Sequence, residues 1–162
     1  MAQPRTVLNI LLHEKKRKIS GGFYHKMQVD FAYNSNHIEG SRLTHDQTCY
    51  IFETRTVDGV AHVDDIIETA NHFKCFDFIL DTIHEPITEE YIKQLHRILK
   101  NGLFDDDNDD VVIGDYKKYP NEVGQIQTVL PKEVHFYMEE LIHDYEKKKA
   151  IDLYDVADFH AR

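Results

Sequence analysis

Apolar positions recur along most of the chain at the three- and four-residue spacing of a helix. Leu8, Leu11 and Leu12 form a short stripe, which Ser20-Gly21-Gly22 ends. Tyr24, Met27, Phe31 and Ile38 follow at helical spacing, with Gly40 as a stop signal. Thr44 with Gln47 has the form of a capping box, opening a helix that Asp58-Gly59 closes as a turn. Val63, Ile66, Ile67, Ala70 and Phe73, continued by Cys75 to Ile83, predict a long helix that is apolar over most of its circumference. Such a helix belongs at the centre of an all-α domain. Pro86 interrupts, Thr88 is placed to cap, and Ile92, Leu95, Ile98 and Leu99 form the next stripe before Asn101-Gly102.

Residues 103 to 130 break the helical period. Asp105, Asp106, Asp107, Asp109 and Asp110 suggest a calcium loop, but counting from Asp105 the sixth position is Asp110 where glycine is needed. The twelfth is Tyr116 where glutamate is needed, so a solvated acidic loop is expected. Gly114, Pro120, Asn121 and Gly124 then punctuate β-prone pieces, including the alternation Gln125-Ile126-Gln127-Thr128-Val129. A hairpin or flap at about 111–130 is the expectation. Helix returns at Pro131, with Val134, Met138, Leu141, Ile142 and Tyr145 as its stripe. Asp152 caps a last pattern of Leu153, Val156, Ala157 and His160, which reaches Arg162 with no Gly, Asn or Pro stop. The fold class is mainly α with one small hairpin, in one unit spanning 1–162. The unterminated stripe leads one to expect that the ancestral fold runs on past Arg162 and that the fragment pairs with itself or frays.

Charge narrows the function classes. The formal net charge of −10 argues against nucleic-acid binding through phosphate neutralisation. It is uneven: residues 1 to 26 carry six Lys or Arg against one acid, Glu14. The run Lys15-Lys16-Arg17-Lys18 can be a basic patch or simply a solvated face. No apolar run approaches the ~20 residues of a membrane helix, and the start lacks a signal-peptide pattern. Cys49 and Cys75 are the only cysteines and sit in helical stretches, so reduced thiols and the cytoplasm are expected.

Few residues carry a chemical signal. Ser35 lies four after Phe31 and Glu39 four after Ser35, on the face that also bears Tyr24 and Met27. That face is expected to point inward, where a carboxylate needs a cation or donors; the alternative is that Glu39 reaches water from the last turn. His135, Glu139 and His143 share a helix face, which reads as a surface row rather than a ligand set. No zinc spacing, nucleophile elbow or phosphate loop occurs, so neither a metal site nor a catalytic residue is assigned.

The segment from Ser35 to Thr44, SNHIEGSRLT, resembles the inhibitory-helix motif of the Fic family, S/T-x-x-x-E-G/N followed by x-x-L-T. Gly114-Asp115-Tyr116-Lys117 is similar to that family's G-x-Y-R, and Gln127 to Glu133 looks like its flap leading into a P-x-E-V helix, here Pro131 to Val134. Ala157 to His160 resembles its A-x-x-H. The resemblance implies a Fic-like helical domain, with inhibitory helices in 1–56 and a partial core with its flap in 57–162. It implies AMP transfer from ATP, with Mg2+, to a Ser, Thr or Tyr of a protein substrate. It assigns inhibition to Ser35, Glu39 and Gly40. It assigns target docking by strand addition to Val123, Gly124, Gln125, Ile126, Gln127, Thr128 and Val129. The family's catalytic loop, H-P-F-x-x-G-N-G-R, does not occur in 1–162, so the chain by itself is expected to be inactive. A module that inhibits a partner in trans, or a plain helical interaction protein, are the other readings.

Overall fold

The computed structural model describes residues 6–103 and 112–162, so the acidic run Asp105 to Asp110 lies outside the described residues. Its helices are α1 (Val7–Arg17), α2 (Phe23–Ile38), α3 (His45–Thr54), α4 (Val63–Asp81), α5 (Glu89–Lys100), α6 (Pro131–Glu146) and α7 (Leu153–Ala161). Between α5 and α6 run two short strands, β1 (Glu122–Val123) and β2 (Ile126–Gln127). The fold is mainly α with one small hairpin, as the periodicity predicts. Two compact units are present: Met1–His84 with Ile98–Phe104, and Glu85–Arg97 with Asp105–Arg162.

In the first unit α4 packs on both α2 and α3, the central place its apolar circumference demands. The core is Ala32, Leu43, Ile51 and Phe73, with Phe52, Val57, Ala61 and Ile66 against it. Thr44 makes both arms of the capping box: its Oγ1 accepts from the Gln47 N–H at 3.1 Å, and Gln47 Oε1 accepts from the Thr44 N–H at 3.0 Å. The helix it opens stops at Thr54, short of Asp58-Gly59, because Arg55 takes the left-handed conformation at φ 60. Lys18 ends α1 in the same way at φ 51. Each such residue carries a β-carbon into a region costing about 1 kcal/mol or more. Near the end of α5, the Asn71 amide donates to the carbonyls of Leu99 at 3.0 Å and Asn101 at 2.8 Å.

The inward face of α2 is not the one its hydrophobic residues mark. The buried positions are His25, Gln28, Val29, Ala32 and Asn36, whereas Phe31 is 44% and Ile38 83% exposed. The expectation that Ser35 and Glu39 lie on an inward face therefore fails: Ser35 is half-buried and Glu39 exposed. The cause is hydrogen bonding. Gln28 Nε2 donates to the Tyr24 hydroxyl (2.9 Å) and to Asp77 (3.1 Å), and Asn36 Nδ2 donates to Thr69 Oγ1 (2.9 Å). With their N–H groups paired, and only Gln28 Oε1 left buried without a partner, these amides take the interior over rings that stack at its margin. Phe31 does so, 5.3 Å from the His72 ring and 5.8 Å from Phe76.

In the second unit Thr88 caps α5, its Oγ1 accepting from the Tyr91 N–H at 3.1 Å. The strands pair antiparallel, Glu122 with Gln127 and Val123 with Ile126. Gly124, at φ 64, opens their two-residue connection, the position where a II′ hairpin wants glycine. Pro131 starts α6, and Asp152 caps α7 with Asp155 completing a capping box. Helix α7 lies on α6 through the rings of Phe159 and Tyr145, 4.7 Å apart. Its apolar stripe faces away: Leu153 is 85% exposed, and Val156 and Ala157 are exposed too.

Candidate functional site

The end of α2 is built as a backbone cap. Glu39 is the C-cap, Gly40 follows at φ 98, and two closing bonds run back into the helix. The Ser41 N–H donates to the Asn36 carbonyl at 2.9 Å and the Gly40 N–H to the His37 carbonyl at 3.2 Å, the pair of bonds that defines a Schellman motif. Gly40 thus serves the chain path, and Glu39 is held at a fixed turn with its carboxylate in solvent. Among the described residues neither Ser35 nor Glu39 has a side-chain partner. A carboxylate at a helix C-terminus also opposes the helix dipole. Nothing local rewards Glu39 for being acidic.

The hairpin is wholly exposed, with Val123 at 67% and Ile126 at 74%. Its base is tied down at Lys117, whose Nζ donates to Asn121 Oδ1 at 2.5 Å and to Thr128 Oγ1. The Thr128 N–H also donates to the Asn121 carbonyl at 3.2 Å. The segment 114–116 is in turn anchored to α5 residue by residue. Arg97 Nη2 donates to the Gly114 carbonyl at 3.1 Å, and the Gly114 N–H donates to His96 Nδ1 at 3.0 Å. Lys93 meets Asp115 at 2.7 Å and lies 4.2 Å above the Tyr116 ring. The Tyr116 hydroxyl donates to Glu89 at 2.5 Å. Gly114 at φ 74 fits there because a β-carbon would fall 1.9 Å from Arg97 Cγ.

Glu89 is the hub, and composition gives no hint of it. His135 Nδ1 lies 2.9 Å from Glu89 and its Nε2 3.4 Å from Glu139. Partial burial pushes the Glu89 carboxyl up, but the hydrogen bonds from Tyr116 and His135 outweigh it and hold it below its ordinary range. The same bond, with the charges of Glu89 and Glu139, raises His135. Burial and the Glu89 bond raise the Tyr116 phenol. A cleft of about 440 Å³ adjoins this base, lined by Tyr116, Lys117, Val129, Tyr137, Met138 and Leu141 among others.

Among the described residues two clusters hold potential metal donors, Glu89–His135–Glu139 and His25–Cys49–Glu53. In the first, Glu89 is already occupied by Tyr116 and His135. In the second, His25 Nδ1 accepts from the Gly21 N–H at 3.0 Å, so the neutral ring carries its proton on Nε2. That nitrogen faces Glu53 at 3.3 Å as a donor, and the ligand position is spent.

Residues 86–162 match the Fic/DOC family. The chain is similar to the crystal structure of a Fic-domain-containing signaling protein from Bacteroides thetaiotaomicron, with a TM-score of 0.67 and 25% identity, covering 87% of this chain and 56% of that one. It is similar in fold to a Fic family protein from Desulfovibrio desulfuricans, with a TM-score of 0.69 and 16% identity, covering 99% and 52%. No curated protein matches the chain. The chain spans about half the length of the two structures. The segment that matches the Fic/DOC family, residues 86–162, contains the hairpin, its anchored base and the Glu89 hub. No helix among the described residues is long and apolar enough to cross a membrane.

Proposed function

We propose that the chain supplies the inhibitory helix and the target-docking hairpin of a protein adenylyltransferase, which moves AMP from ATP to a Ser, Thr or Tyr of another protein. The observation that carries this reading is the fully exposed hairpin at 122–127, inside the Fic/DOC segment and pinned at its base to α5. An extended target strand adds to such an edge through backbone hydrogen bonds, while Val123 and Ile126 offer apolar contact. Val129 and the neighbouring cleft extend the same surface.

Glu39 is the inhibitory group in this proposal. Its charge has no local use, so its use lies with a cation the described residues do not provide, and Ser35 in the same turn adds a weaker hydrogen bond. The residues present do not fit magnesium or ATP phosphates. Magnesium takes hard oxygen ligands, whereas both donor clusters mix histidine with carboxylates already engaged, and the H-P-F-x-x-G-N-G-R run is not among the 162 residues. The part these residues play is therefore confined to docking the target and to inhibition.

Two measurements test the proposal. The chain as it stands should transfer no AMP from labelled ATP and magnesium to lysate proteins. In a version carrying the family's catalytic loop, Glu39→Gly should raise AMP transfer and Ser35→Ala should raise it less, the two effects being less than additive because both act in one turn. Equal rates with and without Glu39 would refute the inhibitory role. A second reading follows from the exposure of Glu39: the chain acts in trans on a separate Fic enzyme. Added to such an enzyme it should then lower AMP transfer, and the Glu39→Gly chain should not. A cytoplasmic location and self-association through Leu153 and Val156 belong to the same proposal; sedimentation equilibrium decides the second.

A further inference from the structure

The basic run at 15–18 has no part in the function proposed above, and it borders a cavity of the first unit of about 870 Å³. That size is typical of small-molecule sites. The cavity lies outside the segment matched to the Fic/DOC family. Its wall carries four cationic side chains, Lys15, Lys18, Arg55 and Lys74, against two acidic ones, Glu53 and Asp77, in a chain whose net charge is −10. Lys15 is spent on Asp81 at 2.6 Å and on the Asp77 carbonyl at 2.8 Å, and Lys74 donates to Asn71 at 2.9 Å. Among the described residues Lys18 and Arg55 have no side-chain partner.

Lys18 and Arg55 are also the two non-glycine residues with positive φ among the described residues. Both are helix C-caps, and both line this one cavity. A cation near a helix C-terminus complements the dipole, but a neighbouring position would provide that charge and leave the left-handed site to glycine. The dipole accounts for the sign of the charge and not for a β-carbon held in the left-handed region. Strain at two positions converging on one cavity points to the cavity as its use. The carbonyls at these helix ends are already bonded: the Ile19 N–H donates to Glu14 and the Arg55 N–H to Ile51, at 3.1 and 3.0 Å. The cavity therefore meets side-chain charge. Its other wall is aromatic, with Phe52 4.9 Å from both the His25 and Phe73 rings and 6.4 Å from Tyr24.

We propose that this cavity binds a small phosphate monoester carried on an aromatic ring, with Lys18 and Arg55 holding the phosphate and the Tyr24–Phe52–Phe73 wall receiving the ring. The two cations without side-chain partners, Lys18 and Arg55, match the dianion, and the guanidinium of Arg55 suits two phosphate oxygens at once.

The probe is phenyl phosphate, titrated into the intact chain by calorimetry and amide chemical shifts, with inorganic phosphate and phenol as its separated halves. Phenyl phosphate should bind more tightly than either half and shift the amides of Ser20, Tyr24 and Arg55. Lys18→Gly and Arg55→Gly remove the charges at positions where glycine is the relaxed residue, so the fold is retained. Each should weaken binding by roughly tenfold, while the exposed Lys26→Ala should not. Lys18→Asn and Arg55→Asn, which also tolerate the left-handed region, should repeat the loss. Equal affinity of the variants for phenyl phosphate, shifts confined to other surfaces, or no binding at millimolar probe would each overturn the proposal. The outcome is independent of AMP transfer.

Discussion

Replacing Gly114 by alanine should destabilise the second unit through two separable effects. The first is backbone strain: φ is 74 at this position, and an L-residue in the left-handed region costs about 1–2 kcal/mol. The second is steric. The new methyl would lie 1.9 Å from Arg97 Cγ and 2.7 Å from Cδ, so the Arg97 stem must swing away and release the Gly114 carbonyl, Gln94 and Glu90. Overpacking of this kind adds about 1–3 kcal/mol, giving a total of about 2–5 kcal/mol, a large share of a typical ~5–15 kcal/mol margin. Urea unfolding measures the total. Amide exchange at Tyr116 and Thr128 shows whether the hairpin base loosens with it. The Arg97→Ala background separates the terms, because with the stem gone only the backbone cost of about 1–2 kcal/mol should remain. A loss under about 1 kcal/mol, or an equal loss with and without Arg97, would refute the reasoning.

The Glu89–His135 bridge sets a pH window with two edges. Glu89 is depressed, so its contribution is present above its unfolded pKa near ~4.3 and is lost as pH falls through the lower folded value. His135 is raised, so its contribution is present below its unfolded pKa near ~6.5 and is lost as pH rises through the higher folded value. Amide protection at Tyr116 should follow both edges; His135→Gln should remove the alkaline one and Glu89→Gln both, and a flat profile in the unaltered chain would contradict the bridge. In the first unit, Asn71→Ala strips partners from the Leu99 and Asn101 carbonyls and should cost about 2–4 kcal/mol, read by thermal unfolding; a change within ~0.5 kcal/mol would show that water replaces the amide.

Local signals are legible in the sequence because their partners lie within a few residues. Thr44 with Gln47, Thr88, Pro131 and Asp152 start helices where the sequence places them, and Gly124 turns the hairpin. The long apolar run 63–83 could only be a central helix. The orientation of α2 is not legible, since the partners that bury Gln28 and Asn36 are Asp77 and Thr69 on α4, 49 and 33 residues away. Hydrophobicity alone cannot see a paired amide, so it marks Phe31 and Ile38 as the interior. Glu89 escapes notice for the same reason: Tyr116 and His135 reach it from 27 and 46 residues away. Helix spacing groups His135 with Glu139 and His143, yet the partner that governs it sits on another helix. Arg55 shows the opposite limit. A left-handed cap normally advertises itself as glycine, so the search for a stop runs on to Gly59.

The construction of α2 also constrains how inhibition by Glu39 would be relieved. One route is fraying of the last turn; the other is displacement of the helix as a whole. Fraying must break the Ser41–Asn36 and Gly40–His37 bonds, and Asn36 is itself 4% exposed and bonded to Thr69. Unwinding past Asn36 would strand a buried amide and a buried hydroxyl, at about 1–3 kcal/mol each. Sliding α2 along α4 would break Gln28 from Asp77 as well. The cheaper event is displacement of α2 together with the α4 to which it is bonded, carrying Glu39 with it. Amide exchange distinguishes the routes in a version bearing the catalytic loop. Under bodily displacement, a nucleotide that activates the enzyme leaves Ser41 and Gly40 as protected as in the inhibited state. Loss of protection confined to residues 36–41 on activation would show that the last turn unwinds instead.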